Sequence, residues 1–173
     1  MKLTKKRLGL IALVVALAIG NITFALLYMT RDVNITGGIS TIGSIEVYQD
    51  DGVTILTSFD YENFTGGVPQ SLYGPSFFIN NTGNQPMYVY WNISTGSIAW
   101  ENTSTGYHYR EAAVMKYQFH IRNGTDDWWV PNTEARIIPV DQTISEEMIL
   151  SYSGSNKTAE TISFTVTFYA KDA

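Results

Sequence analysis

The segment Thr161-Ile162-Ser163-Phe164-Thr165-Val166-Thr167-Phe168-Tyr169 alternates apolar and polar side chains without a break. Side chains repeat every second residue only in an extended strand, so Ile162, Phe164, Val166 and Phe168 share one face and Ser163, Thr165, Thr167 and Tyr169 the other. Val114 to Arg122 repeats the pattern, with Tyr117, Phe119 and Ile121 inward and Lys116, Gln118, His120 and Arg122 toward solvent. Ser44 to Tyr48 alternates as well, and Asp50-Asp51-Gly52 then turns the chain into Val53 to Thr57. Asp-Gly tolerates the positive φ that a tight hairpin requires, so a first hairpin is predicted here. Ser76 to Asn80 and Met87 to Ile93 flank a turn at Asn81-Thr82-Gly83-Asn84. The second of these carries apolar groups in both phases, as in a central strand or one that shows its tyrosines to a partner. Helical periodicity is missing after residue 30. About seven short strands between Gly, Asn, Asp and Pro clusters predict an all-β chain forming a single β-sandwich.

Thr95 to Ala112 reads as a long polar loop with aromatic insertions at Trp100, Tyr107 and Tyr109. Surface loops of that length are often functional.

Composition bounds the function. The chain is 45% apolar and 13% aromatic with 16% charged residues, which favours a packed core over disorder. Lys2, Lys5, Lys6 and Arg7 precede an apolar run from Leu8 to Ile19, the layout of a secretory signal. Small residues at Ala18-Ile19-Gly20 and Thr23-Phe24-Ala25 allow cleavage before Asn21 or Leu26. A second reading joins Leu8 to Met29 into one membrane span with its basic flank inside. Both readings place the following domain outside the cell, with the membrane met only through the N-terminal segment. The chain divides accordingly into a signal or membrane segment (1–25), a connector that doubles as a possible donor strand (26–40) and a β-sandwich (41–173).

Without the four leading cations, 7 basic and 16 acidic side chains remain, a formal charge of −9. Such a surface repels phosphate backbones and excludes nucleic acid as a partner. Cysteine is absent, so no disulfide framework or thiolate site exists, and a prokaryotic exported domain held by sheet packing is expected.

Asn-X-Ser/Thr sequons start at Asn21, Asn34, Asn63, Asn80, Asn92, Asn102, Asn123 and Asn156. With 11 asparagines and 32 Ser/Thr residues, chance gives about two. The excess predicts covalent N-glycans at Asn34, Asn63, Asn80, Asn92, Asn102, Asn123 and Asn156, spread over the loops of an exposed domain. Glycans at that density leave little bare surface, so contacts between copies should run through strand edges. Ile22, Phe24, Leu26 and Tyr28 form a β-prone apolar set that could be donated to a neighbouring sheet. The same residues also fit the tail of the membrane segment.

A signal segment ending in Phe24-Ala25, the stretch Gly37-Gly38-Ile39-Ser40-Thr41-Ile42-Gly43, and Gly67 through Pro75 into Phe77-Phe78-Ile79-Asn80-Asn81-Thr82-Gly83-Asn84 together make a layout. It resembles that of the secreted TasA/camelysin-like biofilm fibre proteins and, more closely in size and glycosylation, the archaeal bundling-pilus and thread subunits. The resemblance implies a jelly-roll-like sandwich that builds a homopolymer of identical subunits by donor-strand complementation, in a cell-surface filament. The alternative is a membrane-anchored sandwich that binds a partner or glycan as a monomer.

Relatives of camelysin are also classed as metallopeptidases, and the residues do not suit that chemistry. A zincin needs two histidines one helical turn apart and a glutamate base. This chain has His108 in the polar loop and His120 on the outward face of a strand, both expected to be solvated. No Gly-X-Ser-X-Gly elbow occurs. Asp50-Asp51 and Asp126-Asp127 lack the spacing of a calcium loop and read as turns, and Glu146-Glu147 reads as solvated. Trp100, Tyr107, Tyr109, Trp128 and Trp129 could stack on sugars, although core packing is their more ordinary use. The expectation is a non-enzymatic protein with no catalytic residue, no metal site and no cofactor.

Overall fold

A computed structural model of the 173-residue chain describes residues 32–65, 69–124, 127–154 and 160–173, with backbone alone at 32–34 and 62–65. Among these residues twelve strands and no helix occur. They are β1 (Asp32–Ile42), β2 (Ile45–Gln49), β3 (Ser58–Thr65), β4 (Gln70–Asn81), β5 (Met87–Gly96) and β6 (Glu101–Thr103). The second half adds β7 (Gly106–Glu111), β8 (Val114–Asn123), β9 (Asp127–Trp128), β10 (Arg136–Ile138), β11 (Thr143–Tyr152) and β12 (Glu160–Asp172). One sheet, A, runs β10-β5-β12-β1-β3, and the other, B, runs β2-β4-β11-β8-β7-β6 with β9 added beside β8. The two sheets enclose one apolar core, the arrangement of a β-sandwich.

Alternation in the sequence accounts for that core. Ile162, Phe164, Val166 and Phe168 of β12 are buried, as are Tyr117, Phe119 and Ile121 of β8. Phe119 and Phe164 meet edge to face across the sheets at 4.9 Å between ring centroids. Trp91 of β5 is fully buried and donates its indole N–H to the Trp129 carbonyl at 2.9 Å, so its one polar atom is satisfied.

The first strand has the least local partner. β1 pairs in parallel with β12 from Val33↔Glu160 to Ile42↔Tyr169 and antiparallel with β3 on its other side. Residues 32–40 of the expected connector therefore lie in sheet A. The signal or membrane segment and Ile22, Phe24, Leu26 and Tyr28 lie outside the described residues.

Two local expectations change, and a third gains its cause. The Asp50-Asp51-Gly52 turn forms, with Asp51 Oδ1 accepting from the Val53 and Thr54 amides at 2.9 and 2.8 Å. The returning arm makes only the single bridge Tyr48↔Ile55, because its Leu56 drops into the core while Val53 and Ile55 stay exposed. The expected turn after β4 is present and carries the chain from sheet B to sheet A. Asn81, 1% exposed, holds it by donating to the Gln85 and Ile138 carbonyls at 2.8 and 3.0 Å and accepting from the Gly83 amide at 2.8 Å. The expected polar loop at 95–112 contains the β6–β7 hairpin, since Trp100, Tyr107 and Tyr109 pack on Phe164, Trp91 and Tyr117.

Candidate functional site

Sequon asparagines lie mostly within strands. Asn34 is in β1 and Asn63 in β3, where only backbone is described. Asn80 is half-buried in β4, Asn92 half-buried in β5, and Asn102 exposed in β6. Asn123, exposed at the end of β8, donates its Nδ2 hydrogen to the Ser145 carbonyl at 3.0 Å. Asn21 and Asn156 lie outside the described residues. The expectation of loop-borne sites is thus corrected for the strand positions, because the same alternation that hides one face presents the other.

The outer face of sheet A stands out chemically. Across its central strands it shows Thr36, Gly38 and Ser40 of β1, Ser163, Thr165 and Thr167 of β12, and Tyr88, Tyr90 and Asn92 of β5. Tyr90 and Tyr169 are cross-strand partners whose rings stack at 5.4 Å, and Lys171 lies over both. Solvated faces normally intersperse charges of both signs. Here hydroxyls, an amide and tyrosines take most of those places, with Lys171 as the charge among them, which suits a hydroxyl-rich partner or cover.

Both histidines contradict the expectation of solvated groups. His108 lies on β7, and His120 on β8 is only 7% exposed. Their rings approach edge to face at 5.9 Å. The β6–β7 turn closes over His120, whose Nδ1–H donates to the Thr105 carbonyl at 2.7 Å, and Trp128 packs on its ring. Lys116 on the same face is 7% exposed and bridges Glu111 and Glu160 at 2.5 and 3.2 Å. The polar face of β8 is thus roofed by elements whose docking alternation does not encode. Among the described residues no three His, Asp or Glu side chains could hold a metal ion.

Burial holds both imidazoles below their ordinary value, with the charges of His120 and Arg110 adding to the effect at His108. The unfolded chain therefore binds more protons than the fold just below pH ~6.5, and stability is lost as pH falls from there through the depressed values. His120→Asn keeps a donor for Thr105 and removes the titration. Urea midpoints compared at pH 7.5 and 5 should differ less for this variant than for wild type.

Glu146 was also expected in solvent and is 2% exposed. Arg136 reaches from β10 of sheet A to Glu146 of β11 in sheet B at 3.2 Å, and to Asp127 and Glu134 at 2.9 and 3.2 Å. Its guanidinium also lies 5.7 Å from the Trp129 ring centre. Burial pushes the Glu146 carboxyl up to about 7, opposed by Arg136 and reinforced by Asp127 and Glu134. One cation among three carboxylates bolts the two sheets together. The signal was present in the sequence: Ile144, Glu146, Met148 and Leu150 share one strand phase, which places Glu146 inward. Of the aromatic set, Tyr107 and Trp129 are buried in the core, Trp100 and Tyr109 pack against it, and Trp128 stacks on His120 and Arg122.

Strand edges are unequal. β10 and β6 are three residues each, with Pro139 directly after β10, and β2 is covered by the arm that bridges Tyr48 to Ile55. β3, eight residues long, is the long open edge among the described residues. Compared with known protein families and with curated proteins, the sequence matches none.

Proposed function

We propose that this protein is an exported, N-glycosylated, jelly-roll-like subunit of a cell-surface filament, whose copies join by an N-terminal strand donated to a neighbour's sheet. The observation that carries the reading is that β3 is a long edge strand among the described residues and ends beside Asp32, the first of them. Asp32 pairs with Thr65, the last residue of β3, so the segment before Asp32 starts from the end of sheet A. That segment holds Ile22, Phe24, Leu26 and Tyr28 in a period of two. Adding it to the β3 edge of another copy supplies main-chain hydrogen bonds and sockets for alternate side chains. The contact is head-to-tail and does not close on itself, so it propagates into a fibre. The protein acts as structure, with no catalytic group or cofactor assigned.

The test combines negative-stain electron microscopy of native surface material with sequencing of the mature N-terminus. Thin filaments starting near Asn21 or Leu26 are expected. Deleting Leu26 to Thr30 from the mature protein should abolish them. Detergent-requiring monomers that begin at Met1, or filaments that survive the deletion, overturn strand donation; the monomers favour an anchored binding domain instead.

A further inference from the structure

Tyr90, Asn92 and Ser94 follow one another on β5, with Tyr90 and Asn92 on the same outer face of sheet A. Asn92 pairs with Thr167 of β12, and Thr167 with Ser40 of β1. A recess of about 570 Å³ runs along this row, walled by Tyr169 and Ile42. Two inter-strand steps make it about 10 Å long, room for one or two pyranose rings. The Asn92 carboxamide is oriented for attachment: Oδ1 is buried without a hydrogen-bond partner, while Nδ2 is neither a buried orphan nor bonded to a described residue. The modifiable nitrogen therefore faces out. At Asn123, by contrast, Nδ2 is engaged by the Ser145 carbonyl.

We infer that Asn92 carries an N-glycan whose first sugar lies in this recess against the Tyr169 ring. The inference rests on the glycoprotein reading above and narrows it to one site with a structural role. In the transfer, a bond forms between Asn92 Nδ2 and C1 of the sugar. The C1–O bond to the phosphate of a lipid-linked oligosaccharide breaks, the phosphate leaves with the electron pair, and Nδ2 gives up one proton. The apolar face of a pyranose packs on an aromatic ring, and its hydroxyls find partners in the exposed Ser40 and in Ser94, which accepts from the buried Thr167 hydroxyl at 2.7 Å. The glycan then covers the tyrosine-rich end of sheet A, and the open β3 edge lies beyond β1 on the far side of the row.

Glycopeptide mass spectrometry of native protein reads occupancy at every sequon, and thermal melts read the packing. Asn92 is expected to be occupied. Asn92→Gln should lower the melting temperature by about 3 °C in the wild-type background and by little in the Tyr169→Ala background; Tyr169→Ala alone costs more, because it also loses the stack on Tyr90. Tyr169→Phe keeps the ring and should melt like wild type, and Asn92→Gln should change nothing in protein made without glycosylation. Occupied sequons elsewhere with a bare Asn92 overturn the inference and leave the glycoprotein reading standing. No occupied sequon overturns both. An occupied Asn92 with additive losses in the double variant overturns the packing against Tyr169.

Discussion

Replacing Gly37 by alanine is expected to destabilise the domain by about 3 kcal/mol, the upper part of the range for overpacking a close-packed core. Gly37 lies on β1 opposite Phe59 of β3 and Phe164 of β12. A Cβ built there falls 2.0 Å from Phe59 Cζ and 2.3 and 2.4 Å from two further ring carbons. The ring has nowhere to retreat, because it stacks on Phe119 at 6.0 Å and meets Phe164 and Tyr61 edge-on at 5.5 and 5.8 Å. Gly38, one residue along, is the control: its added Cβ meets Thr165 Oγ1 at 3.5 Å, ordinary contact. Gly38→Ala should be neutral or stabilise by up to about 1 kcal/mol through the unfolded chain. Equilibrium urea denaturation reads both. Phe59→Ala should partly rescue Gly37→Ala, giving a coupling of about 2 kcal/mol, because the new methyl group occupies space that the ring vacates. Equal losses at Gly37 and Gly38 would sink this account.

Arg136→Ala should cost about 3 to 5 kcal/mol at pH 8, where Glu146, ionised beside its cation in the wild type, must either stay a buried carboxylate facing Asp127 and Glu134 or take up a proton. The loss depends on pH with a definite sign. Glu146 titrates near 7 in the fold against about 4.5 when free, so the folded state holds the extra proton and its contribution is lost as pH rises through 7. Removing Arg136 takes away the one influence of that cluster pulling the value down. The deficit of the variant should therefore shrink at pH 5, where the carboxyl is neutral with or without arginine. Arg136→Ala combined with Glu146→Gln should recover most of the loss at pH 8. A deficit equal at pH 5 and pH 8 would mean that Arg136 acts by packing on Trp129 alone.

Which residues lie in strands and which of them point inward was largely legible, because side-chain alternation belongs to the extended backbone and needs no partner. Ile162, Phe164, Val166 and Phe168 show it, as do Tyr117, Phe119 and Ile121, and the Asp50-Asp51-Gly52 turn is written in local chemistry. Glu146 was legible too, in the inward phase of Ile144, Met148 and Leu150, and was read as solvated because a charge is ordinarily exposed. The sequons were countable. Their surroundings were not: Asn92 faces out beside Tyr169, whereas Asn123 is tied to Ser145.

The tertiary structure alone decided the partners. The turn at Asn81 is visible in sequence, but only the fold shows that its buried carboxamide donates to the carbonyl of Ile138 and that the chain passes into the other sheet. β1 lies parallel to β12 although the two strands stand at opposite ends of the described chain. His120 occupies a polar phase and is roofed by the β6–β7 turn and Trp128, and Arg136 finds Glu146 across the sandwich. Each of these depends on which strands pair and what docks on a face. Those choices minimise the free energy of the whole core and leave no periodic trace in the strand that makes them.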